Sequence, residues 1–237
     1  MKLETLLARI TDNSSIRDPY AASHLPIYQT ATFDLKKQSG DKIYDYSRTD
    51  NPTRNALEEI FAKAENAAGC VCTNTGLSAI ALLLETTLKS GDSILVEMDI
   101  YGGTYRLLKI LAEKYGVNVY KCNFLDENKV EEIITEKKIK LVLFESPTNP
   151  GLKIIDIKKI SSICKKHNTL AAVDNSLATF ASQKPLDLGA DFSVFSTTKS
   201  VSGHGASVTG AVTAKDGEWF EKLSYYMNAE GRAQSPF

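Results

Sequence analysis

A lysine preceded by a run of hydroxyl residues is the first feature of this sequence that suggests chemistry. The apolar residues 192–195 predict a buried strand, and the hydroxyl residues 196–198 follow it directly before Lys199. Hydroxyl groups at a strand end can hydrogen-bond a phosphate, and a neutral, partly desolvated lysine can form a Schiff base with an aldehyde. The alternative is a solvated lysine. The small residues 202–205 favour the chemical interpretation because they let the backbone approach a ligand closely.

An acidic residue, Asp174, follows the predicted strand 170–173. A carboxylate in this place can keep a pyridine nitrogen protonated, which makes pyridoxal phosphate (PLP) an effective electron sink. The alternative is an aspartate that caps the next turn.

Four further side chains or turns stand at the boundaries of predicted elements. Gly76 lies in a Thr/Gly turn that opens a helix, where backbone N–H groups favour a phosphate. Tyr101 has a ring that can stack on a flat heterocycle, and Asn149 has an amide that can donate to a cofactor oxygen. Arg48 can bind a phosphate through two hydrogen bonds. The structural alternatives are an ordinary helix cap, a tyrosine at the core rim, a tight proline turn and a solvated arm.

Alternating strands and helices must position these side chains. We predict strands at 71–73, 94–97, 117–122, 141–144, 170–173, 192–195 and 208–213, and helices at 55–68, 78–89, 104–115, 127–137, 157–167 and 218–228. This order predicts an α/β fold with a mostly parallel sheet covered by helices, in which ligands bind at the carboxyl ends of strands. Residues 1–53 show little periodicity, so we interpret them as an extended N-terminal arm, followed by a PLP-binding α/β domain over 54–237.

Charge and hydropathy argue against several classes of partner. The chain has 237 residues and a formal net charge of −1, which gives no reason to expect nucleic acid or an anionic membrane. No apolar run approaches the length of a membrane span, and the first ten residues lack a signal-peptide core. We therefore expect a cytoplasmic protein, and small-molecule chemistry or protein contacts remain as its possible roles.

The cysteines do not indicate a metal site. Cys70 and Cys72 are separated by one residue, which is not the usual spacing of zinc ligands. We expect all four cysteines, which include Cys122 and Cys164, to be free thiols packed as small apolar groups. We predict no metal.

The order of the motifs resembles one family of enzymes. The motifs are Tyr46-Ser47-Arg48, Asn51-Pro52-Thr53, Tyr101-Gly102-Gly103-Thr104, Pro147-Thr148-Asn149-Pro150, Val173-Asp174-Asn175 and Ser196-Thr197-Thr198-Lys199. Together they resemble the Cys/Met-metabolism (trans-sulfuration) family of PLP enzymes. Within that family, they are most similar to the cystathionine γ-synthases and cystathionine lyases. The resemblance implies an aspartate-aminotransferase-like domain of PLP fold type I.

The resemblance also implies a role for each matching residue. Lys199 would hold PLP as a Schiff base and move the substrate α-proton, Asp174 would pair with the pyridinium nitrogen, and Tyr101 would stack on the ring and exchange a proton. Lys199 and Tyr101 are thus the implied catalytic residues. The other implied cofactor contacts are Gly76, Leu77, Ser196 and Thr198 at the phosphate, Asn149 beside the phenolic oxygen, and Tyr46 and Arg48 reaching the phosphate of a neighbouring subunit.

The resemblance therefore implies a PLP-dependent enzyme that forms or cleaves C–S bonds of a small amino acid by β- or γ-elimination or replacement. It implies a homodimer or a dimer of dimers with shared active sites. The residues 203–205 look more like those of the O-acetylhomoserine sulfhydrylases, which is an alternative within the enzymes. The resemblance implies a smaller C-terminal substrate domain after residue 237, and we expect this domain to be absent from the chain. The alternative is therefore a truncated, catalytically impaired PLP-binding remnant.

Overall fold

A central sheet of seven strands organises the computed structural model, which describes residues 2–38 and 42–237. The strands are β1 (Gly69–Thr73), β2 (Ser93–Glu97), β3 (Asn118–Cys122), β4 (Leu141–Glu145), β5 (Leu170–Asp174), β6 (Phe192–Phe195) and β7 (Gly210–Ala214). Their order across the sheet is β1-β7-β6-β5-β4-β2-β3, and β7 runs antiparallel to both of its neighbours. The prediction of a mostly parallel sheet is thus confirmed.

Helices cover the sheet and begin where polar side chains can cap them. They are α1 (Leu3–Ala8), α2 (Ile10–Asn13), α3 (Pro52–Glu65), α4 (Gly76–Thr87), α5 (Gly102–Tyr115), α6 (Glu127–Lys137), α7 (Ile157–Lys166), α8 (Thr179–Ser182) and α9 (Gly217–Glu230). Asn51 caps α3, with a proline in the next position, and Thr75 caps α4 by accepting a hydrogen bond from Ser78 N. No helix in the described part of the chain is long and apolar enough to cross a bilayer.

The predicted elements are all present, although their ends differ by one to three residues in most cases. Helix α4 begins at Gly76, two residues before its predicted start, because Thr75 rather than a later residue is the cap. Helix α3 begins at Pro52, two residues before the predicted domain boundary. The arm carries two short helices, α1 and α2, which its lack of periodicity did not indicate.

The core lies on both faces of the sheet, since every residue of β1, β2, β4, β6 and β7 is buried. A third apolar cluster joins the arm to the domain, where Leu6 of α1 packs with Ile60 and Phe61 of α3. All four cysteines are free and buried, as predicted.

The parallel strands direct polar residues to one edge of the sheet. Glu97, Glu145 and Asp174 are the last residues of β2, β4 and β5, and Ser196 follows the end of β6. Glu145 and Asp174 are paired in register. Chemistry-bearing side chains from different parts of the sequence are therefore neighbours at this edge.

A buried polar network lies beneath that edge. Glu65 is fully buried at the end of α3, and its Oε1 accepts hydrogen bonds from Ser193 Oγ at 3.1 Å and Asn175 Nδ2 at 3.3 Å. Its Oε2 has no hydrogen-bond partner among the described residues. Burial raises the pKa of Glu65 to about 7 against the opposing effect of these two donors.

We expect Glu65 to make the stability of the fold depend on pH. A folded-state pKa raised above the unfolded value of 4.5 gives stability that is complete below that value and is lost as the pH rises through about 7. Glu65→Gln is neutral and keeps an acceptor, so at about pH 8 it should be more stable than the native chain by about 1–3 kcal/mol, with a much smaller difference at about pH 5.

Urea unfolding at the two pH values measures this difference. Glu221→Gln, on the exposed surface of α9, is the control and should leave the pH dependence unchanged. An identical pH dependence in Glu65→Gln and the native chain would show that Glu65 does not titrate in this range.

Candidate active site

A pocket of about 470 Å³ opens at the carboxyl edge of the sheet. Its lining consists of Thr75, Gly76, Leu77, Ile80, Tyr101, Glu145, Pro147, Asn149, Asp174, Ser176, Leu177, Ser196, Thr198, Lys199, Ser200 and Val208. The structure therefore brings together eight of the ten residues that the sequence predicts for the site. Tyr46 and Arg48 are the two that it does not place there.

One end of the pocket is formed by the first turn of α4 against the end of β6. A Cβ atom at Gly76 would lie 2.6 Å from Cβ and 3.0 Å from Oγ of Ser196, so the two backbones approach more closely than any side chain allows. Gly210 is equally crowded, since its Cβ would lie 2.4 Å from Thr75 O. The N-terminal N–H groups of α4 and the hydroxyl of Ser196 thus form one concave surface with the character of an anion site.

The hydroxyl of Thr198 forms hydrogen bonds with the backbone of Thr209, directly before β7. Its Oγ1 donates to Thr209 O at 3.0 Å and accepts from Thr209 N at 2.9 Å, while the hydroxyls of Thr197 and Thr209 are also paired. These bonds fasten the turn that contains Lys199 to Thr209, the residue directly before β7. Since the hydroxyl proton already has an acceptor, the implied phosphate contact of Thr198 stays a prediction.

Asp174 lies at the end of β5, on the strand next to β6, and is half-buried. Ser176 N donates to its Oδ1 at 3.0 Å. Burial raises the pKa of Asp174, and the hydrogen bonds from Ser176 oppose that effect. The hydroxyl of Ser176 also accepts a hydrogen bond from Ser196 N at 2.8 Å, so Ser176 joins the segments that follow β5 and β6.

Tyr101 stands immediately before α5 with its ring folded over Gly103. A Cβ at Gly103 would lie 2.4 Å from Cε1 of that ring, so the glycine is what permits this ring position. The backbone N of Tyr101 donates to Glu145 Oε1 at 2.7 Å. Tyr101 is 44% exposed and lines the pocket, where a flat ligand can reach its ring.

Lys199 is exposed in the turn after β6. Its backbone N donates to Ser196 O at 3.2 Å, and its carbonyl accepts from Gly203 N at 2.9 Å. The small residues after Lys199 therefore close the turn. The desolvation that a neutral lysine requires must come from whatever fills the pocket.

Tyr46 forms an isolated antiparallel bridge with Thr32 in the arm, and Arg48 lies in the turn that follows, so that both are outside the pocket. Both are exposed, and Arg48 donates to Asn228 O at 3.0 Å. The buried guanidinium of Arg54 holds this segment by donating to Ser47 O at 2.6 Å and Thr49 O at 2.8 Å. The contact of Tyr46 and Arg48 with a neighbouring subunit is a prediction that one chain does not test.

Sequence reasoning missed two residues that connect the walls, Glu145 and Ser176. The signal was present for both, since each is a polar residue within two positions of a strand end. Their partners are backbone N–H groups distant in sequence, and these become neighbours only in the folded chain.

The chemistry of the donor set fits PLP. The helix N-terminus beside Ser196 suits a phosphate, Asp174 suits a pyridinium N–H, and the amine of Lys199 suits an aldehyde. The pocket volume is in the range of small-cofactor sites. Fold and pocket together define an α/β domain of PLP fold type I.

The comparisons with known proteins agree with that class. The Cys/Met metabolism PLP-dependent enzyme family matches residues 4–237, and the chain belongs to that family. It is 40% identical over 222 residues to the cystathionine β-lyase of Neurospora crassa, covering 93% of this chain and 48% of that protein. It is 38% identical over 226 residues to the cystathionine γ-synthase of Escherichia coli, covering 94% of this chain and 58% of that protein.

The solved structures give the same result. The cystathionine γ-synthase from Xanthomonas oryzae pv. oryzae, in complex with aminoacrylate and cysteine, superposes with a TM-score of 0.94 at 37% identity. The alignment covers 100% of this chain and 60% of that one. The chain thus spans about half to three-fifths of the length of these three relatives.

We expect a methyl group at position 76 to disrupt the anion end of the pocket. Gly76→Ala should cost about 1–3 kcal/mol of unfolding free energy and weaken PLP binding, because α4 must move away from Ser196. Gly102→Ala is the matched control, since Gly102 is likewise the first residue of a helix but its Cβ would meet only the tip of Arg106, at 3.7 Å.

Urea unfolding and a fluorescence titration with PLP measure the two effects. If Gly76→Ala bound PLP as tightly as Gly102→Ala, the first turn of α4 would not hold the phosphate.

Proposed function

We propose that this chain is the cofactor-binding part of a PLP-dependent enzyme that forms or cleaves C–S bonds in small sulfur amino acids. The observation that carries the proposal is the single pocket in which Lys199, Asp174 and the first turn of α4 meet. When bound, PLP supplies an electron sink that stabilises a carbanion at the substrate α-carbon.

Some residues of the pocket would bind the cofactor, and others would also transfer protons. Lys199 would hold the cofactor covalently through its amine and carry the α-proton, and Asp174 would keep the pyridine nitrogen protonated. The first turn of α4 and Ser196 would bind the phosphate, and Leu77 would line that end. Tyr101 would stack on the ring and exchange a proton, and Asn149 would contact the phenolic oxygen.

The type of C–S reaction stays open within this proposal. The β-lyase and the γ-synthase named above are 40% and 38% identical to the chain, so identity does not separate lyase from synthase. The residues 203–205 keep an O-acetylhomoserine sulfhydrylase as an alternative. A non-catalytic PLP-binding protein is the alternative outside the enzymes, and turnover of cystathionine or a homoserine ester separates it from the rest. The cytoplasmic location stays a prediction.

The arm supports a proposal of shared active sites in a homodimer or a dimer of dimers. Tyr46 and Arg48 are exposed, lie outside the pocket of their own chain and carry groups that suit a phosphate. A two-fold axis would bring each arm to the pocket of the other subunit.

The first test concerns the lysine. Purified protein incubated with PLP and reduced with borohydride should carry the cofactor on the peptide that contains Lys199, as peptide mass spectrometry would show. Lys199→Ala should lose the covalent label and all turnover but retain weaker binding through the phosphate end. Lys215→Ala, at an exposed site away from the pocket, is the control. Labelling of a different lysine would contradict the assignment.

The second test concerns the arm. Arg48→Ala should weaken PLP binding about tenfold, because a charge-assisted contact with phosphate is lost, yet leave the free energy of unfolding nearly unchanged. Sedimentation velocity and PLP titration over a range of protein concentrations give both readouts. Arg9→Ala, also exposed on the arm, is the control. A monomer that binds PLP as tightly as the dimer would rule out a shared site.

A further inference from the structure

Glu145 is a carboxyl group of the pocket whose function the assignments above do not include. It is the last residue of β4, is only 5% exposed and pairs in register with Asp174 on β5. Its position between two strand ends makes it part of the pocket wall.

The two oxygens of Glu145 bond two different walls. Oε1 accepts from Tyr101 N at 2.7 Å, at the start of α5, and Oε2 accepts from Asn149 N at 2.9 Å, in the loop after β4. In the proposed function, the ring of Tyr101 stacks on the cofactor and the amide of Asn149 contacts its phenolic oxygen. A single carboxylate therefore fixes the separation of the two segments that carry them.

The electrostatic surroundings make this arrangement costly. Burial and the neighbouring charge of Asp174 raise the pKa of Glu145 to about 7, and the two backbone donors oppose that rise. Glu97 on β2 adds a smaller rise, although its carboxylate is paired with Lys153 at 2.9 Å. On the remaining side, Lys199 after β6 lines the same pocket. A carboxyl kept in such a place is not explained by surface solubility or by apolar packing.

We propose that Glu145 is a positioning residue of the cofactor site, whose carboxylate holds the Tyr101 and Asn149 segments at the separation that PLP requires. This inference rests on the proposed function, since it assumes that both segments contact PLP. Glu145 itself need not touch the cofactor.

Glu145→Gln tests the proposal with a side chain of equal size. An amide has one acceptor oxygen, and its NH₂ group would face one of the two backbone donors, so one wall must be released. In PLP-free protein, hydrogen exchange of the amides of Tyr101 and Asn149 should be faster, by about tenfold at one or both. The affinity for PLP should fall by about tenfold at pH values where native Glu145 is ionised.

The matched control is Asp191→Asn. The carboxylate of Asp191 also accepts a backbone hydrogen bond, from Ala171 N at 2.8 Å, but it stands before β6 at the opposite edge of the sheet. Its substitution should leave PLP affinity and the exchange of both pocket amides unchanged.

A double-mutant cycle separates positioning from a direct effect of charge. In at least one of the two backgrounds, Asn149→Ala or Tyr101→Ala, Glu145→Gln should weaken PLP binding by less than about threefold, because the side chain of the released segment is already gone. A full effect in both backgrounds, or native PLP affinity in Glu145→Gln alone, would overturn the positioning role.

The proposed function has a separate outcome in the same experiment. A native chain that carries PLP on Lys199 while Glu145→Gln binds it equally well contradicts the positioning role alone. A native chain that takes up no PLP contradicts the proposed function as well.

Discussion

The close contact between Gly76 and Ser196 is the constraint on which the rest of the site depends. Two backbone segments from different layers touch there, and a third backbone segment, at Gly210, packs against the same turn. The contact directs the N-terminus of α4 at the end of β6, so a partial positive charge meets a hydroxyl group. Glu145 and Asp174, which also line the pocket, are brought beside this contact by the carboxyl ends of the parallel strands β4 and β5.

Beneath the pocket, the molecule uses polar groups where most folds use apolar ones. Gln183 bonds the carbonyl of Ser146 and the amide of Asn175, and Asn175 in turn bonds Glu65. The loops after β4 and β5 are thereby joined to α3 through side chains. Such a network gives a fixed geometry at an electrostatic cost, because a group that loses its partner here has no water to replace it.

The sequence predicts the parts of the structure that depend on local order. Alternating strand and helix patterns identified all seven strands, and the order of residues after those strands placed Asp174 and Lys199 at one edge. Helix starts were less accurate because a cap such as Thr75 is recognised by a single hydrogen bond. Short helices such as α1 are stabilised by packing of Leu6 rather than by a periodic pattern.

Contacts between distant segments could not be predicted in this way. Nothing in the motif around Glu145 indicates that its partners are backbone N–H groups 44 residues before it and four after it. The hydroxyl of Thr198 shows the same limit, since nothing in its local sequence indicates that it bonds the backbone of Thr209. The residue type shows which hydrogen bonds a group can form, and the tertiary structure determines its partners.

The arm precedes the α/β domain in the sequence, but the buried charge of Arg54 in α3 depends on contacts with the arm. Arg54 is 2% exposed, and three backbone carbonyls of the arm accept its N–H groups. Without those carbonyls, a guanidinium would remain in the protein interior with only the long contact to Glu58, at 3.4 Å. Buried hydrogen bonds therefore join the arm to α3, and an exchange of arms between related chains would have to include the first turn of α3.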